Sequence, residues 1–114
     1  RFRTSGVDNT SASYQQFYQE VGFGSATWSV TSVTNTTQPR FGRVSSGTGG
    51  SSQSIQVLSP QASAVTRTLS LGADNAYYQQ SGIIFSATTS FDGISFIGMS
   101  GTITGTLQVF GYTN

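Results

Sequence analysis

The segment SFDGISFIGMSGTITGTLQVFGY, residues 90–112, is the densest apolar stretch of this chain. Residues 91–99 and 102–112 are rich in the β-branched and aromatic residues that favour strands. Between them, Ser100-Gly101 supplies the residue types of a turn. The segment therefore predicts a β-hairpin.

The second strand of this predicted hairpin alternates apolar and polar positions. Its apolar phase is Ile103, Gly105, Leu107 and Val109. The other phase is mostly threonine and glutamine, and it ends with Phe110 and Tyr112. Because successive side chains of a strand point to opposite faces, one face is apolar and the other mostly polar. This pattern is typical of a sandwich sheet with a buried inner side.

The composition favours strands over helices throughout the chain. With 114 residues, the chain predicts a single domain, residues 1–114, that holds one core. Only 8% of the residues are charged, and lysine, histidine and cysteine are absent. Threonine, serine, glycine, valine and aromatic residues dominate, whereas strong helix formers are scarce. The predicted class is all-β.

The charge distribution argues against two kinds of partner. Five arginines and four acidic residues are scattered along the chain and give a net charge of +1. No basic cluster is present that would attract nucleic acid or an anionic membrane. No apolar run approaches the roughly 20 residues of a membrane helix. We therefore expect neither a nucleic-acid partner nor a membrane partner.

Groups that carry catalysis are scarce. Without histidine, cysteine or lysine, the chain lacks the usual general base, thiol nucleophile and Schiff-base amine. We expect no enzymatic activity, no cofactor and no metal site. The enzymatic alternative is a glycosidase-type carboxylate pair, which needs two acids about 5 to 10 Å apart in a cleft. The acids available for it are Asp8, Glu20, Asp74 and Asp92.

Alternation and turn residues predict eight or nine short strands. Their ranges are 1–4, 14–21, 26–33, 40–44, 54–59, 64–71, 76–87 with a bulge at Ser81-Gly82, 91–99 and 102–112. Short strands with turn signals between them indicate an antiparallel two-sheet β-sandwich, and we predict a jelly-roll-like arrangement.

The alternation also predicts which side chains face the core. In the strand 14–21 we expect Phe17 and Val21 to point inward and Tyr14 and Tyr18 to point outward. In the strand 64–71 the predicted inward phase is Val65, Leu69 and Leu71, and this phase also contains Arg67. Either the Arg67 guanidinium reaches water at a strand end or edge, or it forms a buried pair with an aspartate.

Aromatic residues are the best candidates for a binding surface. The candidate ligand or partner contacts are Tyr14, Tyr18, Trp28, Tyr77 and Tyr78, and Tyr112 shares their character. Aromatic faces stack on sugar rings or on partner proteins, and nearby glutamine or asparagine side chains can bind hydroxyl groups. The alternative is that these rings pack over strand faces or at a subunit contact.

The first residues alternate as the interior of a strand does. Arg1-Phe2-Arg3-Thr4 carries no turn residue before it. We therefore expect the chain to be a fragment or processed part of a longer polypeptide that lacks an N-terminal strand or shaft.

Both ends of the chain resemble known proteins. Residues 90–93 and 100–112, the latter reading SGTITGTLQVFGY, are similar to the closing strands of β-sandwich virion domains from tailed bacteriophages, especially marine and cyanobacterial phages. Residues 1–8, RFRTSGVD, resemble an earlier strand and loop of the same kind of protein. The resemblance implies a tail-fibre, tail-tip or other appendage component on the virion surface, a homotrimer that contacts other virion proteins and has no catalytic centre.

The expected function is therefore structural, with adhesion to a host-surface glycan as an added role. Two alternatives stay open. One is a capsid decoration or head-fibre protein, and the other is a non-viral carbohydrate-binding module attached to an enzyme.

Overall fold

The computed structural model describes residues 1–43, 49–99 and 101–111, and this part of the chain contains eight β-strands and no helix. The strands are β1 (Phe2–Thr4), β2 (Val7–Asp8), β3 (Tyr14–Gly22), β4 (Trp28–Thr36), β5 (Ser52–Leu58), β6 (Thr66–Ala73), β7 (Tyr77–Phe85) and β8 (Gly93–Ile94). The all-β prediction is confirmed. Nothing among these residues forms a helix long and apolar enough to cross a membrane.

The strands form two antiparallel sheets that pack together. The small sheet has the order β2-β1-β8, and the large sheet has the order β4-β3-β7-β6-β5. In the large sheet, the hairpin β3–β4 and the meander β5–β6–β7 are joined by pairing between β3 and β7. The predicted β-sandwich is confirmed, while the jelly-roll connectivity stays a prediction.

A tight turn joins β1 and β2. Its central residues Ser5 and Gly6 have φ values of 51° and 79°. Positive φ at both positions is the type I′ geometry, which matches the twist of the flanking strands. Val7–Asp8, which lies between the predicted strands 1–4 and 14–21, therefore pairs with β1 as a strand that was not predicted.

An aromatic cluster joins the two sheets. The Phe2 ring of the small sheet stacks on Phe91, with 4.9 Å between ring centroids, and on Tyr14, at 5.8 Å. Phe85 of β7 meets Phe91 and Tyr14 edge-on, at 4.9 Å in each case. Ile83 completes this buried cluster. Because aromatic side chains bury the largest apolar areas, these residues form the main core of the sandwich.

Much of the remaining inner face of the large sheet, outside β4, is covered by part of a long connection. Residues 37–51 lead from β4, at one edge of the large sheet, to β5, at the opposite edge. We call residues 40–43 the strap, because they lie against the inner side chains of the sheet. The approach is close at Gly42, where a Cβ atom would collide with the side chain of Gln53.

Side chains of the inner face, rather than a neighbouring strand, bind the main chain of the strap. The pairs are Arg40 N with Gln16 Oε1 (2.8 Å), Arg43 N with Gln79 Oε1 (2.5 Å), and the Phe41 carbonyl with Ser70 Oγ (2.5 Å) and Ser81 Oγ (3.3 Å). This arrangement satisfies buried backbone groups without a ladder. The prediction of a strand over 40–44 is therefore wrong for the strap; Val44 lies outside the described residues.

The buried phases of β3 and β6 are the opposite of the predicted ones. Tyr14 and Tyr18 are 0% and 3% exposed, whereas Phe17 is 45% exposed, so the prediction for β3 is wrong. In β6, the buried residues are Thr66, Thr68 and Ser70, and Leu69 and Leu71 point outward. Arg67 shares their outward phase and is exposed, which confirms the solvent-accessible interpretation of its guanidinium.

Two further predictions of strand structure are wrong. Strand β7 runs through Ser81 and Gly82 in unbroken register, and the irregular pairing lies between β3 and β4 near Tyr14 and Gln16. The C-terminal hairpin is absent from the described residues. Only Gly93–Ile94 of its first half pairs, and residues 101–111 form no strand and are exposed throughout. Ser100 of its turn and Tyr112 at its end lie outside the described residues.

Candidate binding surface

The outer face of the large sheet is apolar and open. Its exposed apolar side chains are Phe17, Trp28, Val30, Leu58, Leu69, Leu71 and Ile84. Five strands about 4.8 Å apart and up to nine residues long make a face of roughly 20 by 25 Å. The whole face covers on the order of 500 Å². Its apolar side chains share it with polar ones, including Gln15, Gln19, Gln56 and Gln80, so the apolar patch is smaller than the face. Exposed apolar patches are often functional.

Gly82 makes a hollow near the centre of this face. It lies in register between Phe17 of β3 and Leu69 of β6, and it has no side chain to fill the row. Two shallow depressions, of about 410 and 430 Å³, are both lined by Phe17, Leu69 and Gly82. Arg67 borders the first depression and is the only charged residue among the outward-facing positions of the five strands. The face therefore suits an apolar or uncharged partner.

An aromatic pair lies at one end of the outer face. Trp28 of β4 and Tyr78 of β7 are both cross-strand partners of Val21, and their rings meet edge-to-face at 5.9 Å. Gln19 and Gln80 form the next row of the sheet, so amide groups lie beside the aromatic pair. An exposed indole with neighbouring amides is the combination that the predicted stacking on a sugar ring requires.

The predicted aromatic contacts separate into three places. Trp28 and Tyr78 come together on the outer face. Tyr14 lies in the core, where its hydroxyl accepts a hydrogen bond from Phe2 N at 3.0 Å. Tyr18 and Tyr77 lie on the inner face under the strap arginines. Tyr14 and Tyr18 are buried, so neither presents a surface to an external ligand.

The strap arginines and two acids form a compact charged cluster around Tyr18 and Tyr77. The guanidinium of Arg40 lies 4.1 Å from the centre of the Tyr18 ring, and that of Arg43 lies 4.3 Å from the Tyr77 ring. Glu20 Oε2 is 3.7 Å from Arg40 and 3.6 Å from Arg43. Cation–π stacking and ion pairing thus hold the strap to the sheet.

Burial and hydrogen bonding perturb two groups of this cluster. Burial, followed by the 2.7 Å hydrogen bond that Tyr18 donates to Glu20, raises the pKa of the Tyr18 hydroxyl. Burial alone would lower the pKa of the Arg43 guanidinium, but the neighbouring Glu20, Tyr77 and Asp74 outweigh it and raise that pKa. The cluster therefore keeps Tyr18 neutral and Arg43 charged around neutral pH.

Glu20 and Asp74 are the carboxylates that the fold brings together. Both contact Arg43, at 3.6 and 3.8 Å. Asp74 Oδ1 also accepts the backbone N–H groups of Ala76 and Tyr77, at 2.8 and 2.7 Å, so it closes the turn between β6 and β7. These ion pairs and hydrogen bonds give both carboxylates a structural role. Among the described residues, no group of three or more histidine, cysteine or acidic side chains is arranged to hold a metal ion.

The outer face is the feature that the sequence did not reveal as a site. The apolar row Leu69–Leu71 was assigned to the core, since its alternation with Thr68 and Ser70 fits either orientation of the strand. The signal available in the sequence was the charge of Arg67 in that row, which favours the outward orientation.

Comparison with known proteins gives no relative from which a function of the fold or of the surface could be taken. No protein-family model matches this chain, and no curated protein or solved structure matches it either.

Proposed function

We propose that this chain is a structural and attachment domain of a bacteriophage virion, of the tail-fibre or appendage kind. The observation that carries the proposal is the outer face of the large sheet, which is apolar, exposed and bears a single charge at Arg67. A rigid sandwich with one such face is suited to hold a partner or a surface rather than to transform a substrate. The virion setting rests on the resemblance of residues 1–8, 90–93 and 100–112 to phage β-sandwich domains.

The attachment role centres on the Trp28–Tyr78 pair. Its rings meet at 5.9 Å above Val21, and Gln19 and Gln80 lie in the adjacent row. A pyranose ring stacks on an aromatic face while its hydroxyl groups bind side-chain amides. A neutral host-surface glycan fits this chemistry, since none of these residues is charged.

Location in the particle is tested by immunogold electron microscopy. Antibody raised against the purified chain is applied to virions from the source of the gene. Label at the tail or its fibres is expected. Label over the head would favour a capsid decoration or head-fibre role instead. Absence of label from particles, together with a catalytic domain in the same full-length gene, would favour the carbohydrate-binding module.

Glycan attachment is tested on a glycan array with two matched variants. Trp28 and Phe17 lie on the same face and are both 45% exposed. We expect Trp28→Ala to lower glycan binding at least about tenfold, because loss of one stacking ring costs more than about 1.4 kcal/mol. Phe17→Ala, which changes the central depression, leaves binding within about twofold. The reverse result would move the site to the depression, and no binding by the wild type would remove the attachment role.

A further inference from the structure

Strand β4 is uncovered on both faces and along one edge. Each of its residues from Trp28 to Asn35 is exposed, although the strand is nine residues long and hydrogen-bonded to β3. It forms an edge of the large sheet and contains no charge and no proline; its bulge, Thr34 and Asn35 opposite Gln15 of β3, lies near its C-terminal end, so residues 28–33 form its regular part. Natural proteins normally protect such an edge, because its free N–H and C=O groups are a template for another strand.

A second unpartnered feature lies near the C-terminal end of the described chain. Residues 102–110, TITGTLQVF, alternate as a strand does, yet all are exposed and none pairs with a strand among the described residues. Leu107, Val109 and Phe110 expose 66%, 82% and 80% of their surface. A Cβ atom built on Gly105 would meet no atom within 4 Å. The segment therefore has strand chemistry without a sheet.

We propose that residues 102–110 of one copy of this chain add as a sixth strand to the free edge of β4 in a second copy. We call residues 102–110 the donor segment. Its nine residues are enough to span the regular part of β4, residues 28–33, and both sequences are uncharged and rich in threonine or serine. Addition of a strand to an exposed edge supplies main-chain hydrogen bonds, and alternate side chains supply specificity.

The two phases of the donor segment fit the two faces of β4. On the outer face, β4 presents Trp28 and Val30, which would adjoin the apolar phase that contains Leu107. On the inner face it presents Ser29, Thr31 and Val33, of which the two hydroxyl residues would adjoin threonines of the donor segment. Pairs of apolar residues and pairs of hydroxyl residues both stabilise neighbouring strands. A one-residue slip would reverse both matches, so the alternation fixes which phase of the donor segment faces which side of the sheet, while slips by two residues preserve it.

The other edge strand fits the donor segment less well. Strand β5 has seven residues, and its inward side chains are partly buried, with Val57 packed against the core. Of the two edge strands of the large sheet, only β4 is exposed on both faces. Each copy carries one donor segment and one acceptor edge, so the contact is head-to-tail and closes into a ring when the rotation allows.

This inference deepens the homotrimer that the resemblance implies, but it does not need the virion setting. Its tests measure mass and cross-links only. The strand exchange can therefore fail while the virion assignment stands, and the assignment can fail while the exchange stands.

The first experiment blocks the donor segment without altering the sandwich. In an antiparallel pair, adjacent residues direct their N–H groups to opposite sides, so Thr106→Pro with Leu107→Pro removes a donor in either register. Both residues are exposed and outside any strand, so the single-copy fold should tolerate the change. Light scattering of the full chain should show an oligomer for the wild type and at least about tenfold weaker association for the proline pair.

The control is Thr106→Ala with Leu107→Ala, which shortens the same side chains but keeps both N–H groups. We expect it to retain most of the association, because main-chain bonds supply much of the affinity in strand addition. A wild-type monomer would overturn the proposal. Equal association of the wild type and the proline pair would also overturn it.

The second experiment identifies the acceptor by cross-linking. The chain has no cysteine, so each introduced thiol is unique. Chains with Val30→Cys are mixed with chains carrying cysteine at Ile103, Leu107 or Val109, and the mixture is oxidised. At least one pairing should cross-link well above a control mixture with Val7→Cys, where Val7 lies in the small sheet and is 70% exposed.

Two results would contradict the assignment of β4 in a second copy as the acceptor. Cross-linking no greater than the Val7 control at all three donor positions would show that the segment does not lie beside β4. A single chain carrying both Val30→Cys and Leu107→Cys could instead close a disulfide within itself at high dilution. That result would assign the edge to the chain's own segment and overturn exchange between copies.

Discussion

The two faces of the large sheet carry opposite chemistry in unexpected places. The inner face buries hydroxyl and amide groups over much of its area, including Thr68, Ser70 and Gln79. The outer face leaves Leu69, Leu71 and other apolar side chains exposed to solvent. If hydropathy alone decided which face is buried, the face that carries Leu69 and Leu71 would point toward the core.

The strap accounts for part of the polar inner face. A connection that passes over a sheet must satisfy its buried N–H and C=O groups, and here Gln16, Ser70, Gln79 and Ser81 do so. Apolar side chains at these positions would leave the strap without partners. The outer face has no such requirement, and its apolar surface is available for a partner.

The contrast between the two faces is tested most strongly by truncating one phenylalanine side chain on each face. Phe85 is 1% exposed and contacts three other aromatic rings, so Phe85→Ala should lower the free energy of unfolding by about 3–5 kcal/mol. Phe17→Ala, on the outer face, should cost about 1 kcal/mol or less, since its ring is already half exposed. Urea unfolding measures both values. Equal costs would show that the outer face is packed as tightly as the core.

A second pair of variants tests whether the inner face needs its amides. Gln79 Oε1 accepts a hydrogen bond from Arg43 N at 2.5 Å, while the Tyr18 hydroxyl donates its hydrogen to Glu20. Gln79→Leu leaves the Arg43 N–H without its acceptor, so we expect a loss of about 1–3 kcal/mol despite the more apolar side chain. The neighbouring Gln80 faces outward, and Gln80→Leu should change stability by about 0.5 kcal/mol or less.

Thermal or urea unfolding of the two variants distinguishes the alternatives. If Gln79→Leu stabilised the fold, then burial of apolar area would outweigh the hydrogen bonds to the strap. The inner face would then be polar for a reason other than the strap.

The sequence predicted the class and most of the long strands, because both depend on local signals. Alternation and turn residues placed β3 and β6 to within about two residues at each end, within the usual uncertainty of element boundaries. They could not decide which phase was buried, since a strand such as Thr66–Ala73 reads equally well from either side. That choice depends on the strap, which is distant in sequence.

The candidate site was only partly predicted, because it also depends on contacts between residues that are distant in sequence. Trp28 and Tyr78 were recognised as binding candidates, but their pairing depends on the register of both strands with Val21. Tyr14 and Tyr18 were assigned to the surface, because the sequence does not reveal that Phe2 and the strap cover them. The C-terminal segment has the strongest strand pattern in the chain, and its expected sheet partner is missing within the described residues of one copy.

The smallest expected effect comes from the titration of Tyr18 on the inner face. Burial and the hydrogen bond to Glu20 raise the pKa of its hydroxyl above the usual value near 10. The unfolded chain therefore loses this proton at a lower pH than the folded chain. The resulting stability is fully present below about pH 10 and is lost as the pH rises above that value. The free energy of unfolding should fall with pH in this alkaline range.

Tyr18→Phe separates this titration from the other contributions of the side chain. Loss of the hydrogen bond to Glu20 lowers stability by a similar amount at every pH below about 10, whereas loss of the ionisable group makes the decline above about pH 10 shallower. Burial also raises the pKa of Tyr14, so some decline should remain in the variant. Urea unfolding between about pH 8 and about pH 11 measures the two slopes. Parallel curves for the wild type and Tyr18→Phe would mean that Tyr18 ionises alike in both states, and the inner face would then be more hydrated than the strap geometry implies.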